Sequence, residues 1–229
     1  MRIPSNALSF KRRLLEWYRG HARDLPWRRT RDPWRVLVSE FMLQQTRVSR
    51  VMEYYPRFLS RFPTVYALAS ARPGRVREAW DGLGYYRRAA HLHDLARTVV
   101  RDHAGEIPSD PGHLRRLPGV GPYTAGAVAT FAYERRVAAV DTNVARVLRR
   151  VFRPRLPAGA RGARRLAALA TSLLPHRPAT VWAFNQALMD LGATVCTARR
   201  PRCEVCPVRP ACRTGRAADR ADRTVKPVR

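Results

Sequence analysis

Cys196, Cys203, Cys206 and Cys212 are the only cysteines in a chain of 229 residues, and they fall within 17 consecutive positions as C-x6-C-x2-C-x5-C. Four thiols so close in sequence can act as thiolate ligands to one soft metal centre. The spacing departs from the two Cys-x2-Cys knuckles, set apart by a longer loop, of structural zinc sites. It suits a loop wrapped around one 4Fe–4S cluster, each thiolate reaching a different iron. A zinc ion, or two disulfides in an oxidising compartment, are the other chemistries open to four such residues.

A second group of residues suits phosphate and carboxylate chemistry. In Leu117-Pro118-Gly119-Val120-Gly121, a Gly-x-Gly turn lets successive backbone amides point the same way and leaves no Cβ to obstruct a phosphate. A helix opening at Pro122 would add its positive end. A tight corner between two helices would use the same residues. Asp141 follows Val137-Ala138-Ala139-Val140 and precedes a helical pattern, where an N-cap is the ordinary use of an aspartate. Glu40 lies among Val36, Leu37, Val38, Phe41, Met42 and Leu43. Apolar surroundings disfavour a carboxylate and should raise its pKa, as a proton donor at neutral pH requires; a surface Glu on an amphipathic helix is the alternative. Arg199, Arg200 and Arg202 lie between the first two cysteines, and Asp141–Arg165 holds eight arginines and one acid. Such runs suit a basic finger and phosphate contacts, although a solvated face looks the same.

Helices must position these groups, because apolar residues recur at spacings of three and four and strand-like alternation is scarce. Helices are predicted over Ser5–His21, Trp34–Arg61 with a break near Pro56, Arg75–Leu83, Tyr86–His103, His113–Leu117, Tyr123–Tyr133, Thr142–Phe152, Arg161–Leu174 and Thr180–Leu191. Prolines fall between these segments or just inside their starts. The fold class is all-α. The 44 basic residues outnumber 17 acidic ones for a net charge of +27. Only Lys11 and Lys226 are lysines; a compositional bias explains Arg over Lys but not the shortage of acids. Such a field attracts a polyanion, with nucleic acid the default. No signal-peptide run or membrane span is present, so the expected location is cytoplasmic, with reduced thiols.

LPGVGPYTAGAVATFAY…VDTNVARVL followed by the four-cysteine motif resembles the helix-hairpin-helix DNA glycosylases of the endonuclease III superfamily. LPWR (25–28), VSEFMLQQTRV (38–48), GLGYY (82–86) and FNQALMDLGA (184–193) resemble its adenine DNA glycosylase (MutY) branch. The resemblance runs from about residue 8 to 213. It implies a two-lobed fold. A six-helix barrel with the hairpin would occupy 29–136. A 4Fe–4S cluster lobe would combine 1–28 with 137–215, and 216–229 would be a basic, flexible tail. The implied partner is double-stranded DNA with a mispaired or damaged base, bound by a monomer at the nucleoid. The implied activity is base excision, in which a nucleotide is flipped out of the duplex and its glycosidic bond cut.

The resemblance also implies roles. Cutting an N-glycosidic bond builds positive charge on the sugar and negative charge on the departing base. Asp141 matches the carboxylate that stabilises the sugar, with Asn143 beside it. Glu40 matches the acid that protonates the adenine and then handles the water. Tyr123 stands where lyase-type relatives carry a nucleophilic lysine, and a phenol cannot form an imine. Arg23, Trp27, Arg28, Leu43 and Gln186 match pocket residues, and Gln45 and Tyr85 match residues that wedge into the base stack. Trp27 and Tyr85 could equally be ordinary core aromatics. Gln44, Gln45 and Thr46 carry the adenine-branch pattern. Leu117, Gly119, Val120 and Gly121, with Arg199, Arg200 and Arg202, are the expected phosphate contacts.

Two departures bear on specificity. Many members continue into a second domain that senses 8-oxoguanine, which is not expected here, and Asp-Thr-Asn (141–143) stands where many carry Asp-Gly-Asn. Thymine or uracil removal opposite guanine is therefore the competing expectation. A bifunctional lyase is disfavoured by Tyr123, and a non-catalytic DNA-binding module is the remaining alternative.

Overall fold

A computed structural model describes residues 4–217 of the chain. In chain order the helices are α1 (Ala7–His21), η1 (Pro26–Arg28, 3-10), α2 (Pro33–Leu43), α3 (Val48–Arg61), α4 (Val65–Ala69), α5 (Pro73–Ala79), α6 (Arg87–His103), α7 (Pro111–Leu114), α8 (Pro122–Phe131), α9 (Thr142–Phe152), α10 (Gly159–Leu173), α11 (Pro178–Thr194) and η2 (Arg209–Ala211, 3-10). Among the described residues every regular element is a helix, and none is long and apolar enough to cross a membrane.

Local chemistry sets the boundaries. Asp32 caps α2, accepting from the Trp34 N–H at 2.8 Å and the Arg35 N–H at 3.2 Å, and Pro33 occupies the first helical position, where its missing N–H costs nothing. Thr64 and Asp110 cap α4 and α7 in the same way. The break expected near Pro56 lies instead at 44–47, where Gln45 takes a positive φ of 56°. Pro56 continues inside α3; it sits on the exposed face, where water can satisfy the carbonyl it leaves without a donor. Helix α4 was not predicted, being too short to show a periodicity.

The chain divides into two compact units, Met1–Arg23 with Arg136–Arg229, and Asp24–Arg135. Residues 24–28 thus group with the second unit and not with the N-terminal helix, because buried Trp27 packs edge-on against Tyr55 at 5.5 Å. In the first unit α1 and α9 pack on α11, and α10 packs on α9. Phe10, Phe152 and Phe184 meet edge to face at 5.2 and 6.3 Å in its core. In the second unit α2 packs against α3, α6 and α8. Its residues Val36 to Met42 are all buried. Helix α8 is buried from Thr124 to Phe131, with small residues at Ala125, Gly126, Ala127 and Ala129. Of the expected tail 216–229, residues 216 and 217 end a helical turn over 213–217, and Thr214 Oγ1 donates to the Arg150 carbonyl at 2.7 Å. The remainder of that tail, including Lys226, lies outside the described residues.

Candidate active site and thiol cluster

In the first unit Asp141 is the N-cap of α9, as its position before a helical pattern suggested. Its Oδ1 accepts from the Val144 N–H at 2.6 Å and its Oδ2 from the Asn143 side-chain amide at 2.9 Å. Both oxygens are thus engaged by donors, and the carboxylate has one defined orientation. Asn143 is fixed in turn, its Oδ1 accepting from Arg146 Nη2 at 2.7 Å. Arg146 also donates to the Gly192 carbonyl at 2.7 Å and the Cys196 carbonyl at 2.8 Å. A hydrogen-bonded path therefore runs from Asp141 through Asn143 and Arg146 to the backbone of the first cysteine. Close approach of α9 and α11 makes it possible, since a Cβ at Gly192 would lie 2.7 Å from Asn143 Cβ.

The segment leading into Asp141 is pinned by Asn185 of α11, buried in the core. Its Oδ1 accepts from the Ala139 N–H at 2.9 Å, and its Nδ2 donates to the Val137 carbonyl at 3.2 Å. Arg23 is committed to the fold: its Nε donates to Asp190 Oδ1 at 2.6 Å, and Asp190 is fully buried on α11. Gln186 is buried on the same helix. Sequence reasoning named none of Asn185, Asp190 and Arg146. The available signal for the first two was an Asn and an Asp, with Gln186, inside the mainly apolar FNQALMDLGA, since a buried polar group must serve a partner.

The four cysteines are free thiols, each half-buried, and Cys196, Cys206 and Cys212 pack against the apolar core of this unit. Burial pushes the Cys206 thiol up to about 11, with Cys196, Cys212 and Cys203 adding repulsion. Cys203 is raised by burial and then by Cys196 and Cys212. The four sulfurs thus lie near enough to act on one another electrostatically. Arg150 Nη1 lies 3.4 Å from Cys196 Sγ, and the Gly215 N–H donates to Cys212 Sγ at 3.4 Å. Among the described residues no three His, Cys, Asp or Glu side chains close around a single ion. The loop between the first two cysteines is tied by the Arg202 N–H to the Val195 carbonyl at 2.9 Å and by Thr197 Oγ1 to the Arg200 carbonyl at 2.6 Å. Arg199, Arg200 and Arg202 project from it exposed.

In the second unit Glu40 is only 4% exposed, on a helix buried from Val36 to Met42; it is not a surface glutamate. Tyr123 is half-buried in the first turn of α8. The hairpin is formed by α7, the turn 115–121 and α8. Gly119 has φ +73°, and a Cβ there would lie 2.9 Å from the Phe41 ring and 2.8 Å from His91 Cβ; its glycine is required by packing. A Cβ at Gly121 would meet nothing within 4 Å, so this is the glycine that leaves open room outside the turn. Val120 does not fit the expectation of outward amides, because its N–H donates to the Leu117 carbonyl at 3.2 Å. Leu117 and Val120 are buried.

The 44–46 and 82–86 turns carry Gln45 and Tyr85, the two residues expected to act as a wedge. Gln45 and Tyr85 both hold positive φ, 56° and 48°, a conformation costing on the order of 1–3 kcal/mol for a residue with a side chain. Tyr85 is 60% exposed, which rules out a core aromatic, and Gln45 is exposed as well. Leu43, Gln44, Thr46 and Arg28 are half-buried. Trp27 is a core residue of this unit, buried against Tyr55.

Residues 38–172 match the family described as HhH-GPD superfamily base excision DNA repair protein. The chain is 53% identical over 196 residues to an adenine DNA glycosylase of Mycobacterium tuberculosis (strain ATCC 25618 / H37Rv), covering 85% of this chain and 64% of the relative. It therefore spans about two thirds of that relative's length. It is 38% identical over 213 residues to a thymine-DNA glycosylase of Aeropyrum pernix, covering 89% of this chain and 93% of the relative. The solved structure of a thermostable thymine-DNA glycosylase superposes with a TM-score of 0.83 at 30% identity, covering 93% of this chain and 97% of that one.

Proposed function

The chain belongs to the HhH-GPD superfamily of base excision DNA repair proteins, and on that footing we propose that it is a monofunctional DNA glycosylase. It hydrolyses the N-glycosidic bond of adenine mispaired with guanine or 8-oxoguanine, binding the duplex as a monomer at the nucleoid. The observation that carries the reading is the Asp141 carboxylate, held in one rotamer by the Val144 N–H and the Asn143 amide. Bond cleavage leaves an oxocarbenium-like sugar, and a fixed anion stabilises that charge without reorganising. Glu40, withdrawn from water, supplies the proton that neutralises the departing base, and its carboxylate then takes a proton from the attacking water. Tyr123 can donate or accept a hydrogen bond but cannot form an imine, so the product is an abasic site in an intact strand. Gly121 and the exposed arginines of the 197–202 loop support phosphate binding without base preference.

The donor set fits a 4Fe–4S cluster: four half-buried thiols act on one another, with N–H groups of Arg150 and Gly215 beside the sulfurs. Cys196, Cys203, Cys206 and Cys212 would hold it, and when bound it would supply iron–thiolate cross-links to the segment that carries the three arginines. Iron and acid-labile sulfide analysis should give about four of each per chain.

Thymine or uracil removal opposite guanine is the second reading, favoured by the 38% identity to a thymine-DNA glycosylase. A panel of duplexes with A, T or U opposite G or 8-oxoguanine, treated with alkali after reaction, separates the two. The proposal expects adenine release opposite G and 8-oxoguanine. Release of T or U without adenine would overturn it.

A further inference from the structure

One buried cation ties the two exposed turns together. Arg88 of α6 is buried, and its guanidinium reaches three stretches of the second unit. Nη1 donates to the Phe41 carbonyl at 3.1 Å, the Met42 carbonyl at 2.8 Å and the Gln44 carbonyl. Nη2 donates to Thr46 Oγ1 at 2.9 Å, the Leu83 carbonyl at 3.2 Å and the Gly84 carbonyl at 3.1 Å. All six acceptors are neutral oxygens. Several are carbonyls at the C-terminal end of α2, which lack a helical donor and form the negative end of its dipole.

The anchors bracket the two strained residues. Gln44 O and Thr46 Oγ1 flank Gln45; Gly84 O precedes Tyr85, whose own carbonyl accepts from the Arg88 N–H at 2.9 Å. The guanidinium also lies 5.4 Å from the Tyr85 ring centroid and 5.5 Å from that of Trp80. Burying a guanidinium among neutral acceptors is a poor way to gain stability. It is a good way to hold two turns in one geometry, because a planar fork fixes direction as well as distance.

We propose that Arg88 is a positioning residue that holds Gln45 and Tyr85 as a preformed two-pronged wedge, so that the turns need no reshaping when a base leaves the stack. This rests on the reading above that Gln45 and Tyr85 enter the duplex. Lysine cannot replace it, since an ammonium is a single point with three donors and cannot span six acceptors.

The test uses the full chain and a duplex bearing adenine opposite 8-oxoguanine, with 2-aminopurine beside the adenine to report unstacking. Arg88→Lys should slow both the fluorescence rise and single-turnover excision by about 10- to 100-fold. On the same mispair flanked by mismatches, where unstacking is already cheap, its deficit should shrink to about 3-fold or less. Equal loss on both duplexes by a folded variant, or no loss on either, would overturn the proposal. Gln45→Ala and Tyr85→Ala on the same pair of duplexes test the underlying reading. If neither shows a deficit confined to the stacked duplex, the wedge assignment fails whatever Arg88→Lys does. A measurement on the unaltered, DNA-free protein does not depend on any variant folding. Backbone order parameters at Gln45 and Tyr85 should be about 0.85, and values under about 0.6 would overturn preformation.

Discussion

At the residue scale, the carboxylates at 40 and 141 make opposite demands on their surroundings. Asp141 has donors on both oxygens, which fix its direction; Glu40 lies within a helix buried along most of its length, a setting for an acid that must deliver a proton. Replacing Glu40 by Gln keeps the shape and removes the transferable proton. Single-turnover excision should fall by about 10² to 10⁴-fold, with duplex binding measured by anisotropy unchanged within a few-fold. Asp141→Ala and Asp141→Asn separate capping from chemistry. Asn caps about as well as Asp, whereas Ala costs roughly 1 kcal/mol. Denaturant midpoints should therefore drop for Asp141→Ala and hold for Asp141→Asn, while both lose excision. The sequence carried Asp141 as a cap from its place before a helical pattern, and Glu40 as buried from its neighbours. It did not carry the fate of Trp27, since a tryptophan after Leu-Pro suits a pocket wall and a core alike; only packing on Tyr55 decides.

At the element scale, the contact of α9 with α11 sets where Asp141 stands. A Cβ at Gly192 would fall 2.7 Å from Asn143 Cβ, with the Asn143 backbone carbonyl carbon and oxygen at 3.1 Å, so backbone must shift. Gly192→Ala should destabilise by about 1–3 kcal/mol and lower kcat more than it raises KM, because the shift falls on the residue that orients Asp141. A loss of stability with kcat intact would show that the Asp141–Asn143 pair does not feel this contact. Helix α9 was legible to the residue from Asp141 to Phe152, having a cap, a strong apolar face and Pro154 just beyond its end. The 44–47 break was not. Pro56 is the louder local signal, yet it lies on a solvated face where a helix tolerates it, while Gln45 is a non-glycine residue at positive φ that no propensity announces. The Gln45 and Tyr85 turns depend on Arg88, a partner more than 40 residues from the first. Spacing rules do not reach that far.

At the scale of the whole molecule, a net charge of +27 makes affinity for DNA a function of salt. Each phosphate neutralised contributes a slope of about −0.9 in log K against log salt. Arg199 and Arg200 are exposed on the loop between the first two cysteines. Replacing both by Ala should reduce the magnitude of the slope by about 2 and weaken binding to matched and mispaired duplexes alike. A loss confined to mispaired DNA would assign them to base readout. Charge was the property most readily taken from composition alone. The division into two compact units was not readable from periodicity, since an all-helical pattern does not say which helices share a core.

At the centre stands the carboxylate at 141, acting on a glycosidic bond with no imine formed between enzyme and sugar. The direct measurement incubates excess protein, unaltered or Asp141→Asn, with a labelled duplex holding adenine opposite 8-oxoguanine, then resolves free base and strand length before and after alkali. The account predicts free adenine, a strand that breaks only after alkali, and loss of both in Asp141→Asn. A strand already broken without alkali, or an Asp141→Asn protein that releases adenine as fast as the unaltered one, would contradict it.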